Sequence, residues 1–141
     1  MTREDVRAFV ARWQQALDRR DAAALAMLYA DTCTVESPTA GGLVTGRAAI
    51  AQVFDTWFTA FPDSVITFDD PLIDGDRVAQ AVMSAGTDSG QFLGLPPTGK
   101  PFRMPIVFLS TVKDGQIVHE RRIYDFTGML VQIGLLKAKP A

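Results

Sequence analysis

Between His119 and Asp125 the chain reads HERRIYD, four charged residues and the one histidine in seven positions of a protein that is 48% hydrophobic. Side chains alternate along a strand, so Ile117, His119, Arg121, Ile123 and Asp125 would share one face, and Val118, Glu120, Arg122, Tyr124 and Phe126 the other. Same-face neighbours stand roughly 6.6 Å apart. Arg121 and Asp125, two steps apart, would therefore not touch but could hold opposite ends of one small ligand. If the first face looks into an apolar pocket, burial would suit a carboxylate there to acid–base work near neutral pH. Asp125 is then the leading catalytic candidate, with Arg121 in the same wall and His119, the one histidine, at the rim. Glu120 and Arg122 read as exposed residues of the opposite face that pair with neighbouring strands and do little for stability.

Such a wall needs elements to carry and cover it. Thr2 followed by Asp5 has the form of a capping box, and Val6, Phe9, Val10, Trp13, Ala16 and Leu17 then recur at helical spacing. Asp21 can cap a second short helix, DAAALAMLYA, and TCTVES reads as a strand. Past Pro38 and the Gly41-Gly42 pair, GRAAIAQVFDTWFTAF forms a third helix buried through Ile50, Phe54, Trp57 and Phe61. From Pro62 onward the pattern turns to strands. Ser64–Phe68 alternates weakly, the Asp74-Gly75 turn leads into RVAQAVMSAGT, and FRMPIVFLSTV returns through a KDGQ turn into IVHERRIYDF. TGMLVQIGLL reads as a last short helix before a frayed tail over 136–141. Helices first and strands later predict one α+β domain over 1–141, with helices on one face of a curved, mostly antiparallel sheet and a cavity between them. Trp13, Tyr29, Trp57 and Phe61 are placed to line that cavity. Phe92 and Leu93, in the Gly- and Pro-rich SGQFLGLPPTGK, can close over its mouth.

Composition narrows the partners. The formal charge of −2 over 141 residues offers no basic footprint for nucleic acid or an anionic membrane. One cysteine and one histidine cannot make a four-ligand zinc site, and Cys33 has no disulfide partner. The N-terminus, MTREDVRAFVARW, is charged at once, and the chain is expected in the cytoplasm. A small apolar organic molecule is the expected ligand. An apolar outer sheet face, carrying Val118, Tyr124, Val107 and Leu109, predicts a homodimer.

The runs GTDSGQFLGLPPTGK and KDGQIVHERRIYDFTGMLVQIG resemble the SnoaL-like polyketide cyclases of the nuclear transport factor 2 superfamily. Their pattern includes Gly-Thr-His-x-Gly, Gly-x-Pro-Pro-Thr-Gly, an Asp-Gly-Lys-Ile turn, and an aspartate shortly before a Leu-Leu-x-Gln-Leu-Gly helix. The resemblance implies a cone-shaped fold and, carried onto Asp125, an acid–base aspartate assisting intramolecular aldol closure without metal or organic cofactor. Two positions depart from the pattern. Asp88 stands where the family has the histidine of Gly-Thr-His, and Arg121 where a tryptophan is common four residues before the aspartate. Asp88, Arg121 and Asp125 together are the residue types of the similar limonene-epoxide hydrolases, so hydrolysis is an alternative, and a ligand-binding module without catalysis is another. Ketosteroid isomerase chemistry is disfavoured, because Ser37 stands where its base would fall and Trp13 where that family has a tyrosine.

Overall fold

The computed structural model describes residues 1–137; of the tail expected over 136–141, residues 138–141 lie outside the described residues. Among the described residues, four helices and seven strands follow the order α1 (Arg3–Asp18), α2 (Ala22–Met27), β1 (Tyr29–Ser37), β2 (Gly42–Thr45), α3 (Arg47–Ala60), β3 (Val65–Phe68), β4 (Leu72–Asp74), β5 (Arg77–Thr87), β6 (Pro101–Lys113), β7 (Gln116–Tyr124) and α4 (Phe126–Gln132). A short 3₁₀ turn, Pro38–Ala40, joins β1 to β2. One curved sheet runs β2-β1-β7-β6-β5-β3, with β4 also paired to β5, and only the β1–β7 pairing is parallel. This is the α+β architecture expected.

Local chemistry accounts for the elements. The Thr2–Asp5 capping box forms in both directions, Asp5 N–H to Thr2 Oγ1 at 3.1 Å and Thr2 N–H to Asp5 Oδ2 at 2.7 Å. Asp21 caps α2 by accepting from Ala24 N–H at 3.0 Å. Helix α2 is shorter than expected, because the chain leaves the helix after Met27 and Tyr29 opens β1. Strands β2 and β4 are additions to the expected set. Both are edge pieces of only 4 and 3 residues, too short for periodicity to register. Pro105 sits inside β6 beyond the last β7 pair, Ile106–Tyr124, opposite Met83 of β5 alone, so no β7 carbonyl is left waiting for its missing N–H.

The core lies between the helices and the inner sheet face. Phe102, Met104, Ile106, Phe108 and Val112 of β6 alternate inward, as do Val78, Gln80, Val82 and Ser84 of β5, under Phe9, Trp13, Phe54, Phe58 and Phe61. The segment after β5 docks on the end of α3 through Gly90, whose N–H donates to Ala60 O at 3.0 Å. A Cβ at Gly90 would collide with the Thr59 carbonyl, so only glycine allows this approach.

Candidate active site

Strand β7 presents its residues the opposite way from the expectation. The β6–β7 register slips between Val112–Ile117 and Thr111–His119, leaving Val118 as a bulge. Beyond it Glu120, Arg122 and Tyr124 point to the helices, while His119, Arg121 and Ile123 point away. Asp125 is not part of the strand. It is the exposed N-cap of α4, its Oδ1 accepting from Gly128 N–H at 2.8 Å.

The inward residues build a buried polar chain. Glu120, fully buried, pairs through Oε2 with Arg122 Nε at 2.8 Å; its Oε1 accepts from Tyr29 Oη at 2.7 Å and from Ser110 Oγ at 3.3 Å. Trp13 Nε1 donates in turn to Tyr29 Oη at 3.3 Å. Burial, and after it the Glu120 carboxylate, pushes the Tyr29 phenol well above its ordinary pKa, which keeps it a donor. Burial works against the Arg122 charge, but Glu120 and Tyr29 outweigh it and hold the guanidinium above its ordinary pKa. The guanidinium carbon also lies 4.5 Å from the Phe54 ring centroid and 5.4 Å from that of Phe108, so its faces are covered by aromatic carbon.

One part of this chain is left over. Arg122 Nη2 is buried without a protein partner, and so is Ser84 Oγ. Both residues line a cavity of about 50 Å³ whose remaining walls are Leu17, Thr39, Val53, Phe54, Trp57, Phe58, Ile66, Ile106, Phe108 and Tyr124. A guanidinium and a hydroxyl without protein partners, on residues that line an apolar cavity, are the few polar groups that a small-molecule site displays. Arg122 can donate to a carbonyl or developing oxyanion, and the Ser84 hydroxyl can donate beside it. Neither residue was singled out from the sequence, nor was Glu120 placed inside. The alternation of β6 carried the signal, since Phe108 is opposite Arg122, but only the bulge brings those two into register.

The other expected site residues disperse. His119 Nδ1 meets Thr34 Oγ1 at 2.7 Å on the outer face, and Arg121 stands 3.7 Å from Glu36, 62% exposed. Asp88 is buried but serves the connection between β5 and β6: its Oδ2 accepts from Thr98 N–H at 3.0 Å, and its backbone bonds Gly99 and Lys100. Asp88, Arg121 and Asp125 thus lie on a loop anchor, the outer face and a helix cap, and do not meet in the cavity. Trp57 lines it, whereas Phe61 and Phe92 pack into the aromatic cluster behind Trp57, and Trp13 and Tyr29 belong to the polar chain. Tyr124, expected on the outer face, is an inner wall. Val107 and Leu109 are outward, as expected.

Among the described residues no helix is long and apolar enough to cross a membrane. The sequence model of the SnoaL-like polyketide cyclases matches residues 7–133. No curated protein matches. Among solved structures, IdmH of Streptomyces antibioticus, a proposed polyketide cyclase, is 32% identical over 90% of this chain and 96% of its own, with a TM-score of 0.75. AclR of Streptomyces galilaeus, a proposed hydroxylase, superposes with a TM-score of 0.83 at 22% identity over 99% of this chain and 91% of its own, a likeness of fold.

Proposed function

This chain belongs to the SnoaL-like polyketide cyclase family, and on that premise we propose that it closes a ring in a small to medium apolar carbonyl compound, with Arg122 as the electrophilic group. Membership supports a cyclase-type function in general. The reaction in view is an intramolecular aldol closure. An acidic carbon of the substrate loses its proton, the new C–C bond forms to a carbonyl carbon, and that carbonyl's electron pair moves to its oxygen, which ends protonated. Protons and electrons balance within the substrate, so no cosubstrate is consumed. The observation that carries the reading is that Arg122, whose Nη2 is buried without a protein partner, lines an apolar cavity. There a donor fixed in advance meets negative charge as it develops on the carbonyl oxygen, and low polarity strengthens the interaction. Glu120 and Tyr29 are positioning residues: they neutralise the guanidinium and fix its direction.

Asp125 has no place in this scheme beyond capping α4. The test compares turnover of a linear β-keto ester bearing a second, distal ketone to its cyclic aldol product by Arg122→Lys and Asp125→Asn, each checked for native circular dichroism. Arg122→Lys keeps a cation beside Glu120 but loses the fork, and kcat should fall about 10²–10³-fold, the cost of one oxyanion donor. Asp125→Asn, which preserves the cap, should leave kcat within about twofold. A collapse in Asp125→Asn with Arg122→Lys unaffected would return the acid–base role to Asp125 and overturn the assignment.

A further inference from the structure

The cavity beside Arg122 holds roughly one or two waters' worth of space at ~30 Å³ each, too little for any ring-forming substrate. A second hollow of about 130 Å³ lies against it, lined by Thr39, Gln52, Val53, Thr56, Trp57, Phe92 and Leu93. Thr39, Val53 and Trp57 border both. At Thr39, which borders both, a hydrogen-bonded clasp forms: Tyr124 Oη meets Thr39 Oγ1 at 2.6 Å, Ser37 Oγ at 3.1 Å and Thr39 N at 3.3 Å. The clasp ties the inner strand β7 to the 3₁₀ turn, and Leu93, on the far side of the hollow, is 55% exposed with φ at +55°.

We propose that the two hollows are the ends of one ligand channel, divided in the free protein by the Thr39–Tyr124 clasp. The ligand is an uncharged carbonyl compound whose carbonyl lies at Arg122 and whose apolar tail runs over Val53 and Trp57 to Phe92 and Leu93. This rests on the reading of Arg122 given above and adds the shape and charge of what binds. Charge decides against a carboxylate. Glu120 already neutralises Arg122 at 2.8 Å, so an anionic ligand would bring an unbalanced charge into an apolar enclosure, at a cost that one shared N–H does not offset. A neutral carbonyl brings none and gains charge only as it reacts. The outer hollow has a hydrocarbon wall from Val53, Trp57, Phe92 and Leu93, which suits a tail and offers no charged group to bind one. Tyr124 and Thr39 are then positioning residues that open for the tail and set where it bends.

The test titrates methyl ketones bearing methyl, butyl, hexyl and octyl tails, followed by the indole N–H resonances of the two tryptophans. Affinity should rise by about fourfold per methylene that enters the hollow, with the Trp57 resonance moving and that of Trp13 still. Leu93→Ser, an exposed change that leaves the fold intact, should weaken the octyl ketone several-fold and leave acetone unchanged. A flat series, or an octyl ketone indifferent to Leu93→Ser, overturns the channel. Affinity that rises with tail length but is the same in Arg122→Lys overturns the carbonyl placement, and with it the proposed reaction. Octanoate binding more tightly than the ketone of equal length overturns the charge assignment.

Discussion

Strand β7 supplies the arginine of two arginine–carboxylate pairs, one on each face, and the same residue types behave as different objects. Inside, Arg122 and Glu120 approach to 2.8 Å with side chains 8% and 0% exposed. Outside, Arg121 and Glu36 stand 3.7 Å apart at 62% and 50% exposure. The inner pair gives up hydration at both ends. It persists because Tyr29, Ser110 and the aromatic faces of Phe54 and Phe108 complete its contacts, and it leaves Arg122 Nη2 without a protein partner on a residue that lines the cavity. The outer pair keeps its water and interacts through a medium that screens it. A charge acquires chemical leverage where solvent is absent and its remaining hydrogen bond points at a ligand.

The comparison breaks most visibly if each carboxylate is neutralised in turn. Glu120→Gln leaves a buried guanidinium uncompensated and should cost about 3–5 kcal/mol of stability. Glu36→Gln should stay within about 0.5 kcal/mol. Urea unfolding of the two variants checks this, and equal losses would show that the faces do not differ as described. Tyr29→Phe comes next, removing a donor to the buried carboxylate for about 1.5–3 kcal/mol. It carries a pH signature. The folded pKa of Tyr29 is raised, so the folded state holds that proton where an unfolded tyrosine has lost it, and stability falls as pH climbs past about 10, the ordinary tyrosine value. One of the two tyrosines should therefore show phenolate absorbance only as the protein unfolds, and Tyr29→Phe should abolish that late component.

Why the inner and outer faces were exchanged in the sequence reading is a matter of one residue. A plain two-residue KDGQ turn, continued without interruption from the Lys113–Gln116 and Val112–Ile117 pairs, sets Phe108 opposite Arg121. That is the arrangement alternation implies. The Val118 bulge slides the pairing by one and substitutes Arg122. Nothing in VHE announces a bulge, because no glycine or proline marks it. Asp125 misled for a related reason: counting by twos is valid only within a strand, and β7 ends at Tyr124. The helical stripe of α1, the caps at Thr2 and Asp21 and the long strands β5 and β6 were legible because each rests on a local pattern. The cavity was not, since it depends on how seven segments, α1, the 3₁₀ turn, α3, β3, β5, β6 and β7, converge.

The smallest effects sharpen the outer face. Asp125→Ala removes the α4 cap at about 1 kcal/mol, whereas Arg121→Ala should change stability by less than about 0.5 kcal/mol. What Arg121 does affect is association. The outer face is an apolar strip of Ala79, Ala81, Val107 and Leu109 with exposed Ile123 and Leu72 at its sides, and it carries charges of both signs in Glu36, Asp74, Arg77 and Arg121. A strip bordered by both signs can meet its own copy with unlike charges opposed, and we propose that it pairs two copies of this chain. Val107→Glu sets a like-charged pair at the centre of such an interface and should convert the dimer to monomer in analytical ultracentrifugation while leaving ketone binding in the inner cavity unchanged. Arg121→Ala, at the border, should weaken association by no more than about tenfold, in line with a solvated charge contributing about 1 kcal/mol. A wild-type chain that sediments as a monomer at micromolar concentration would sink the outer-face assignment and leave the inner one standing.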